Sequence, residues 1–488
     1  MQIFSDISWG YLAAVLVTMG GYLLALILIP RILLDRRGPE ATLAWILIVA
    51  FVPYLGAAVF YVFGRTRVQR RTRKVRRSHD VFQDSLERLP GTTSYSHEIP
   101  EDIRDISLEG VASLAGHLID MPLVPGNKVE LYTDGALAYD RMEEAILSAK
   151  HHVHLMSYIF RTDQTGQRFR DLLVQKARSG LKVKLLVDGF GGRQISSRFI
   201  RPLRSAGGGF AWFAPILGRW GRWRPTLRNH RKILVVDGQV AFTGGLNIGD
   251  EYQGRSKEYG PWRDSHMRIE GPAVRHLQEA FAEDWFFAAD EDLVEPENFP
   301  EIPPCGSELV QVISSGPDHD YATIHRVFFT AINEARSRVY ITTPYFVPDP
   351  AMLMALKSAA WRGLEVIILL PGRSDMPLVQ WAARSYYDEL LAAGVKIYEL
   401  HHGILHAKTM VLDGAWSTVG SANMDIRSFQ LNFELNVLVW GQSFAERMEN
   451  IFKSDLSQGD IVTWSQLMNK RRLSRFAENI SRVLSPVL

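Results

Sequence analysis

Residues 230–247 read HRKILVVDGQVAFTGGLN, and residues 406–423 read HAKTMVLDGAWSTVGSAN. Aligned on their first residue, they set His230, Lys232, Asp237 and Asn247 opposite His406, Lys408, Asp413 and Asn423. A single H-x-K-x4-D match arises by accident in about one chain in twenty of this size. Two matches, each with Asn ten residues past the Asp behind a Gly-Gly or Gly-Ser pair, mark a duplication.

The framework around the motifs repeats as well. Ala145 and Ile146 lead into the apolar run HVHLMSYIF (152–160), and a helical stretch ending at Gly180 enters LKVKLLVDG (181–189). Ala331 and Ile332 lead likewise into RVYITTPYF (338–346), and a stretch ending at Gly363 enters LEVIILLPG (364–372). The motif strands KILVVDG and KTMVLDG follow. Strands alternating with helices, twice over, predict an α/β fold of two sandwich units, at residues 127–300 and 301–463.

A lone His in an apolar strand is more often a satisfied core residue. Here Lys stands two residues on, and side chains two apart in a strand share a face. A buried face holding both calls for an anion, and a phosphate diester supplies one. Lys232 and Lys408 then clamp its non-bridging oxygens, and Asn247 and Asn423 donate further hydrogen bonds. Two imidazoles divide the reaction. One, neutral, attacks phosphorus; the other, as imidazolium, protonates the leaving alkoxide and later deprotonates the incoming hydroxyl.

Each His needs a carboxylate on its second nitrogen. Each half offers one, Asp264 in PWRDSH (261–266) and Glu434 in LNFELN (431–436). Asp237 and Asp413 stand at strand ends before Gly, where structural and catalytic roles are equally open. No cluster of Asp or Glu with metal-ligand spacing accompanies either motif, so neither metal nor cofactor is expected.

Residues 7–30 and 41–64 carry no charged side chain, and each is long enough to cross a hydrocarbon core as a helix. A cleaved signal peptide fits poorly, because no Lys or Arg precedes the first run. The short link RILLDRRGPE (31–40) predicts a two-helix membrane hairpin, with Trp9 and Trp45 as interfacial aromatics. Pro53 and Gly56 leave a bent or shallow second insertion open. Residues 65–77, RTRVQRRTRKVRR, hold eight basic side chains and no acid, which places both termini on the cytoplasmic side. Residues 1–77 are thus read as hairpin plus basic segment, and 78–126 as a linker packed on the catalytic body.

The formal charge of +2 over 488 residues says little about partners, and Cys305, the only cysteine, excludes an intrachain disulfide. Before the first motif, Arg219, Trp220, Arg222, Trp223 and Arg224 interleave charge with aromatic rings. Such a loop suits single-stranded nucleic acid or anionic lipid headgroups. The membrane spans favour lipid, so no nucleic acid is expected. In the tail 464–488, Lys470, Arg471, Arg472, Arg475 and Arg482 lie among Leu467, Leu473, Phe476, Ile480 and Leu484. That pattern fits a basic amphipathic helix at a membrane or an ordinary terminal helix packed on the body.

The sequence closely resembles the phospholipase D superfamily, whose signature is this duplicated H-x-K-x4-D with a trailing G-[GS]-x-N. The stretch RRGPEATLAWILIVAFVPYLGAAVFYVFGR (36–65) and the ending LSPVL resemble those of bacterial cardiolipin synthases. The resemblance implies two units facing each other across a pseudo-twofold cleft, a phosphohistidine intermediate and a place in the bacterial inner membrane. It implies transfer of a phosphatidyl group from one phosphatidylglycerol to another, giving cardiolipin and glycerol. The tetrads alone fit hydrolysis, another alcohol acceptor or a tethered nuclease equally; the hairpin separates these. In related enzymes the amino-terminal motif commonly supplies the nucleophile, and arginines before His230 are expected to lower its pKa and favour attack. Oligomeric state is left open.

Overall fold

A computed structural model describes residues 9–35, 39–61, 82, 84–86, 108–118, 121–214, 227–317 and 322–483. They fall into two compact units, one within Met1–Arg73 and one within Lys74–Leu488. The basic segment 65–77 and the Arg/Trp loop, with Arg219, Trp220, Arg222, Trp223 and Arg224, lie outside the described residues.

The first unit holds α1 (Trp9–Leu34), α2 (Pro39–Phe51) and α3 (Pro53–Val59). Among the described residues, α1 alone is long and apolar enough to cross a membrane. The expected second span is broken at Val52 instead. Pro53 has no N–H to give and its ring crowds the preceding turn. Gly56 packs so closely that a Cβ there would sit 2.6 Å from the Ile48 carbonyl oxygen. At about 1.5 Å per residue, the 13 residues of α2 reach only about 20 Å. Both short helices still pack on α1: the Tyr54 hydroxyl donates to the Val17 carbonyl at 2.6 Å, and Ile32, Val49 and Phe60 share a small buried cluster.

In the second unit the first repeat contributes β1 (Val124–Asp134), β2 (His152–Ser157), β3 (Lys182–Asp188) and β4 (Gly209–Phe213). It continues with β5 (Arg228–Asn229), β6 (Ile233–Val236), β7 (Val240–Gly244) and β8 (Trp262–Glu270). The second repeat contributes β9 (Glu308–Ser315), β10 (Arg338–Thr342), β11 (Phe346–Val347), β12 (Glu365–Pro371) and β13 (Lys396–Leu400). Then come β14 (Ile404–Leu405), β15 (Thr409–Leu412), β16 (Trp416–Gly420), β17 (Met424–Asp425) and β18 (Asn432–Trp440).

The two sheets share one order. In the first it runs β4-β3-β2-β6-β7-β8-β1, with β2, β3 and β4 parallel and the rest antiparallel. In the second it runs β13-β12-β10-β15-β16-β18-β9 with the same senses. β1 pairs with β9 and joins the sheets.

Continuous apolar runs make these strands because both faces are buried. Along β6, Ile233 and Val235 enter the core shared by the repeats, while Leu234 and Val236 face the helices of their own repeat. β15 does the same, with Val411 in the shared core and Met410 and Leu412 behind it. Described parts of the stretch before β1 also pack on this body. Phe82 and Leu86 enter the shared core, and the helix Glu109–Leu118 buries Val111, Ala112 and Ala115.

Candidate active site

Two short parallel pairings carry the chain from one repeat to the other, and the motif histidines sit directly after them. β5 pairs with the start of β18, and the His230 N–H donates to the Phe433 carbonyl at 2.8 Å. β14 pairs with the start of β8, and the His406 N–H donates to the Arg263 carbonyl at 2.7 Å. His and Lys therefore precede the motif strand rather than lie within it.

The crossing decides which carboxylate each imidazole meets. His230 Nδ1 lies 2.9 Å from Glu434 Oε2, a residue of the second repeat. His406 Nδ1 lies 2.7 Å from Asp264 Oδ2, a residue of the first. Both carboxylates are buried. Each ring is held at Nδ1, which leaves Nε2 for chemistry.

The carboxylates have unequal supports. Ser421 Oγ donates to Glu434 Oε2 at 2.5 Å, and Asn432 donates to the other oxygen at 3.0 Å. In the first motif, Gly245 replaces Ser421. A Cβ there would fall 1.9 Å from Asp264 Oδ1, so the motif's Gly-Gly is a clearance for Asp264. The Ser265 N–H holds that oxygen at 2.7 Å instead.

Lys232 and Lys408 are buried, and each ammonium donates to the carbonyl of its own motif histidine. Lys408 Nζ is 3.2 Å from His406 Nε2. Burial pushes Lys232 down to about 7, opposed by Glu434 and helped by Lys408. Burial likewise lowers Lys408 to about 8, against the nearby Asp264, Asp375 and Glu434. The charges of the two tetrads thus act on each other across one site.

Burial lowers His230 to about 4; Glu434 resists, while Lys232 and Lys408 add to the fall. His406 is also lowered, by burial and Lys408, with Asp264 and Asp375 pulling the other way. Burial is the largest cause of the fall at His230, with the lysines adding to it; the loop arginines lie outside the described residues. Glu434 and Asp264 are each raised by burial but end below the ordinary range, held down by the neighbouring histidine and lysines.

Asp237 and Asp413 do not join this site. Each lies at the far end of its motif strand, roughly 20 Å of extended chain from the histidine. Asp237 accepts the backbone N–H groups of Lys150, His151 and His152 at 2.8–2.9 Å. Asp413 accepts those of Arg336, Ser337 and Arg338 at 2.8–2.9 Å. Both adopt positive φ, 55° and 53°, before Gly238 and Gly414. The last motif position staples a tight turn to the start of the neighbouring strand.

Asn247 and Asn423 are buried beside the motifs. Asn247 Oδ1 accepts the Ile159 N–H at 3.1 Å, which leaves its amide group as the donor.

Sequence reasoning missed several neighbours. Tyr158 packs edge-on to His230 at 5.0 Å, and Trp262 lies 5.2 Å from His406. Tyr345 packs edge-on to His406 at 6.3 Å and donates to Asp375 at 2.9 Å. Arg231 is buried and pairs with Asp284 at 2.9 Å, while its Nε donates to the Glu434 carbonyl at 3.2 Å. Arg231 differs from its counterpart Ala407, and that asymmetry within H-x-K was the one readable signal.

Four buried histidines, His152, His230, His266 and His276, are pushed by burial to about 4. Between pH 4 and 6.5 the unfolded chain binds more protons at these groups, so their stabilisation is full above 6.5 and is lost as pH falls through 4. Each contributes on the order of 3 kcal/mol. The thermal midpoint in detergent is expected to drop steeply between pH 6.5 and 4 and to change little from these groups above 6.5.

Residues 142–285 and 328–456 match the family described as "Cardiolipin synthase, PLD-like domain", and residues 23–65 match "Phospholipase_D-nuclease N-terminal". The fold agrees with the crystal structure of phosphatidylserine synthase from Haemophilus influenzae. The TM-score is 0.59 at 14% identity, over 78% of this chain and 100% of that one. The chain is 38% identical over 461 residues to a cardiolipin synthase of Clostridium perfringens strain 13, covering 93% of this chain and 96% of that one. It is 34% identical over 477 residues to the major cardiolipin synthase of Bacillus subtilis, covering 96% and 97%. Fold, paired motifs and relatives make this protein a phosphatidyltransferase of the phospholipase D superfamily. Within that superfamily, the chain belongs to the cardiolipin synthase family.

Proposed function

We propose that the protein makes cardiolipin by moving a phosphatidyl group from one phosphatidylglycerol to another, with release of glycerol. The observation that carries the reading is the crossed pairing, His230 with Glu434 and His406 with Asp264, around two lysines. The lipid substrate is supported by relatives named as cardiolipin synthases. His230 Nε2 attacks phosphorus and the bond to the glycerol oxygen breaks, while His406 gives that oxygen its proton. The hydroxyl of a second phosphatidylglycerol then loses its proton to His406 and attacks phosphorus. The P–N bond breaks and both histidines return to their starting states. Lys232, Lys408, Asn247 and Asn423 bind the phosphate oxygens.

His230 is assigned the attack because two lysines act on it and it stays neutral down to about pH 4. His406 is lowered too, by burial and Lys408, but Asp264 and Asp375 oppose the fall, so of the two rings it is assigned the proton. Residues 1–77 anchor the chain in the bacterial inner membrane, with the basic segment 65–77 keeping the catalytic unit in the cytoplasm. The Arg/Trp loop at 219–224 grips anionic headgroups.

Purified protein in detergent with phosphatidylglycerol alone is expected to yield cardiolipin and glycerol. Phosphatidic acid as sole product, or no product until another alcohol is added, would overturn this assignment. Lys232→Ala and Lys408→Ala should each lose about a hundredfold or more in kcat/KM. Because the cationic form binds phosphate, kcat/KM for the parent should fall as pH rises through about 7 to 8.

A further inference from the structure

The helix Arg472–Val483 packs with its sidedness reversed. Ser481 and Glu478 face the body, at 1% and 8% exposure, whereas Leu473, Phe476 and Val483 stand 80%, 64% and 78% exposed. Leu473, Phe476, Ile480 and Val483 recur at three- and four-residue spacing, one continuous stripe of a helix. Polar contacts hold this orientation. Lys470 bonds Glu478 at 2.9 Å, and Arg482 bonds Glu389 at 2.9 Å with its guanidinium over the Tyr386 ring at 4.2 Å.

The helix lies against a second one, Pro377–Arg384, which exposes Leu378 and Trp381 on one face, with Met376 exposed just before it. Met376 directly follows Asp375, the carboxylate bonded to Tyr345 beside His406. An apolar surface built from two helices therefore starts at the rim of the candidate active site. Arg471, Arg472 and Arg475, beside Leu473 and Phe476 in sequence, are exposed as well.

We infer that this surface docks into an anionic phospholipid bilayer and sets the catalytic mouth against the lipid plane. Apolar side chains enter the acyl boundary while arginines meet phosphate headgroups, the arrangement of an interfacial helix. A donor lipid then reaches the histidines without leaving the bilayer. The choice of partner rests on the lipid-transfer reading above.

The test uses the full chain in nanodiscs containing phosphatidylglycerol, with Cys305→Ser and Phe476→Cys carrying a fluorescent label. Acyl-chain spin-labelled lipid is expected to quench the label, and aqueous iodide is not. Quenching by iodide alone would overturn docking. So would protection from both quenchers, since the surface would then be covered by the amino-terminal helices or by a second copy.

Independently, Leu473→Asp with Phe476→Asp should cut turnover of long-chain lipid diluted in mixed micelles by about tenfold or more. The same variant should turn over monomeric short-chain phosphatidylglycerol at the parent rate. Equal rates for parent and variant on both substrates would contradict the proposal. Failure of the parent on both lipids would sink the lipid-transfer reading, while the quenching would still decide the docking.

Discussion

His230→Ala and His406→Ala are each expected to lose turnover by on the order of a thousandfold or more, because neither imidazole can be nucleophile and acid at once. The structure sharpens this expectation. Each ring is held by a carboxylate of the other repeat, which builds the two motifs into one site. Two independent sites would leave each single mutant about half the parent rate. Steady-state assays on phosphatidylglycerol, with unfolding curves as a check on integrity, separate the cases.

Glu434→Gln and Asp264→Asn should come next in size, on the order of a hundredfold to ten-thousandfold each, as when the carboxylate orienting a catalytic histidine becomes an amide. Their effects should cross between repeats. Glu434→Gln alters His230, and Asp264→Asn alters His406, because the 2.9 Å and 2.7 Å contacts run that way. Rapid-quench assays would show formation of the intermediate slowed in Glu434→Gln. Asp264→Asn should slow both formation and breakdown, because His406 serves as acid and then as base. Identical kinetic defects in the two variants would contradict the crossed assignment.

Much of this architecture could be read from residues. The first apolar run of each repeat, HVHLMSYIF and RVYITTPYF, supplies β2 and β10 at matching sheet positions. The long-range arrangement was less legible. Asp264 and Glu434 stood out as carboxylates, but spacing along the chain cannot reveal that each serves the other repeat; that follows from β5 on β18 and β14 on β8. The role of the motif aspartates stayed open in the sequence for a similar reason. Asp237 marks the turn chemistry of D-G as strongly as it would mark catalysis, and its backbone contacts lie 85–87 residues away in sequence. The bend in the second apolar span was legible too, since Pro53 and Gly56 mark the point where the structure interrupts the helix. Tyr345 and Asp375 escaped notice because nothing in the chain announces that a loop thirty residues on folds back over the ring.

The most direct test of the central claim is acid-quenched turnover of phosphatidylglycerol labelled at phosphorus, followed by mapping of the label on peptides. Label on the peptide containing His230, lost in His230→Ala, is the predicted result. Label on the peptide containing His406, or turnover without label on either histidine under several quench conditions, would contradict the account.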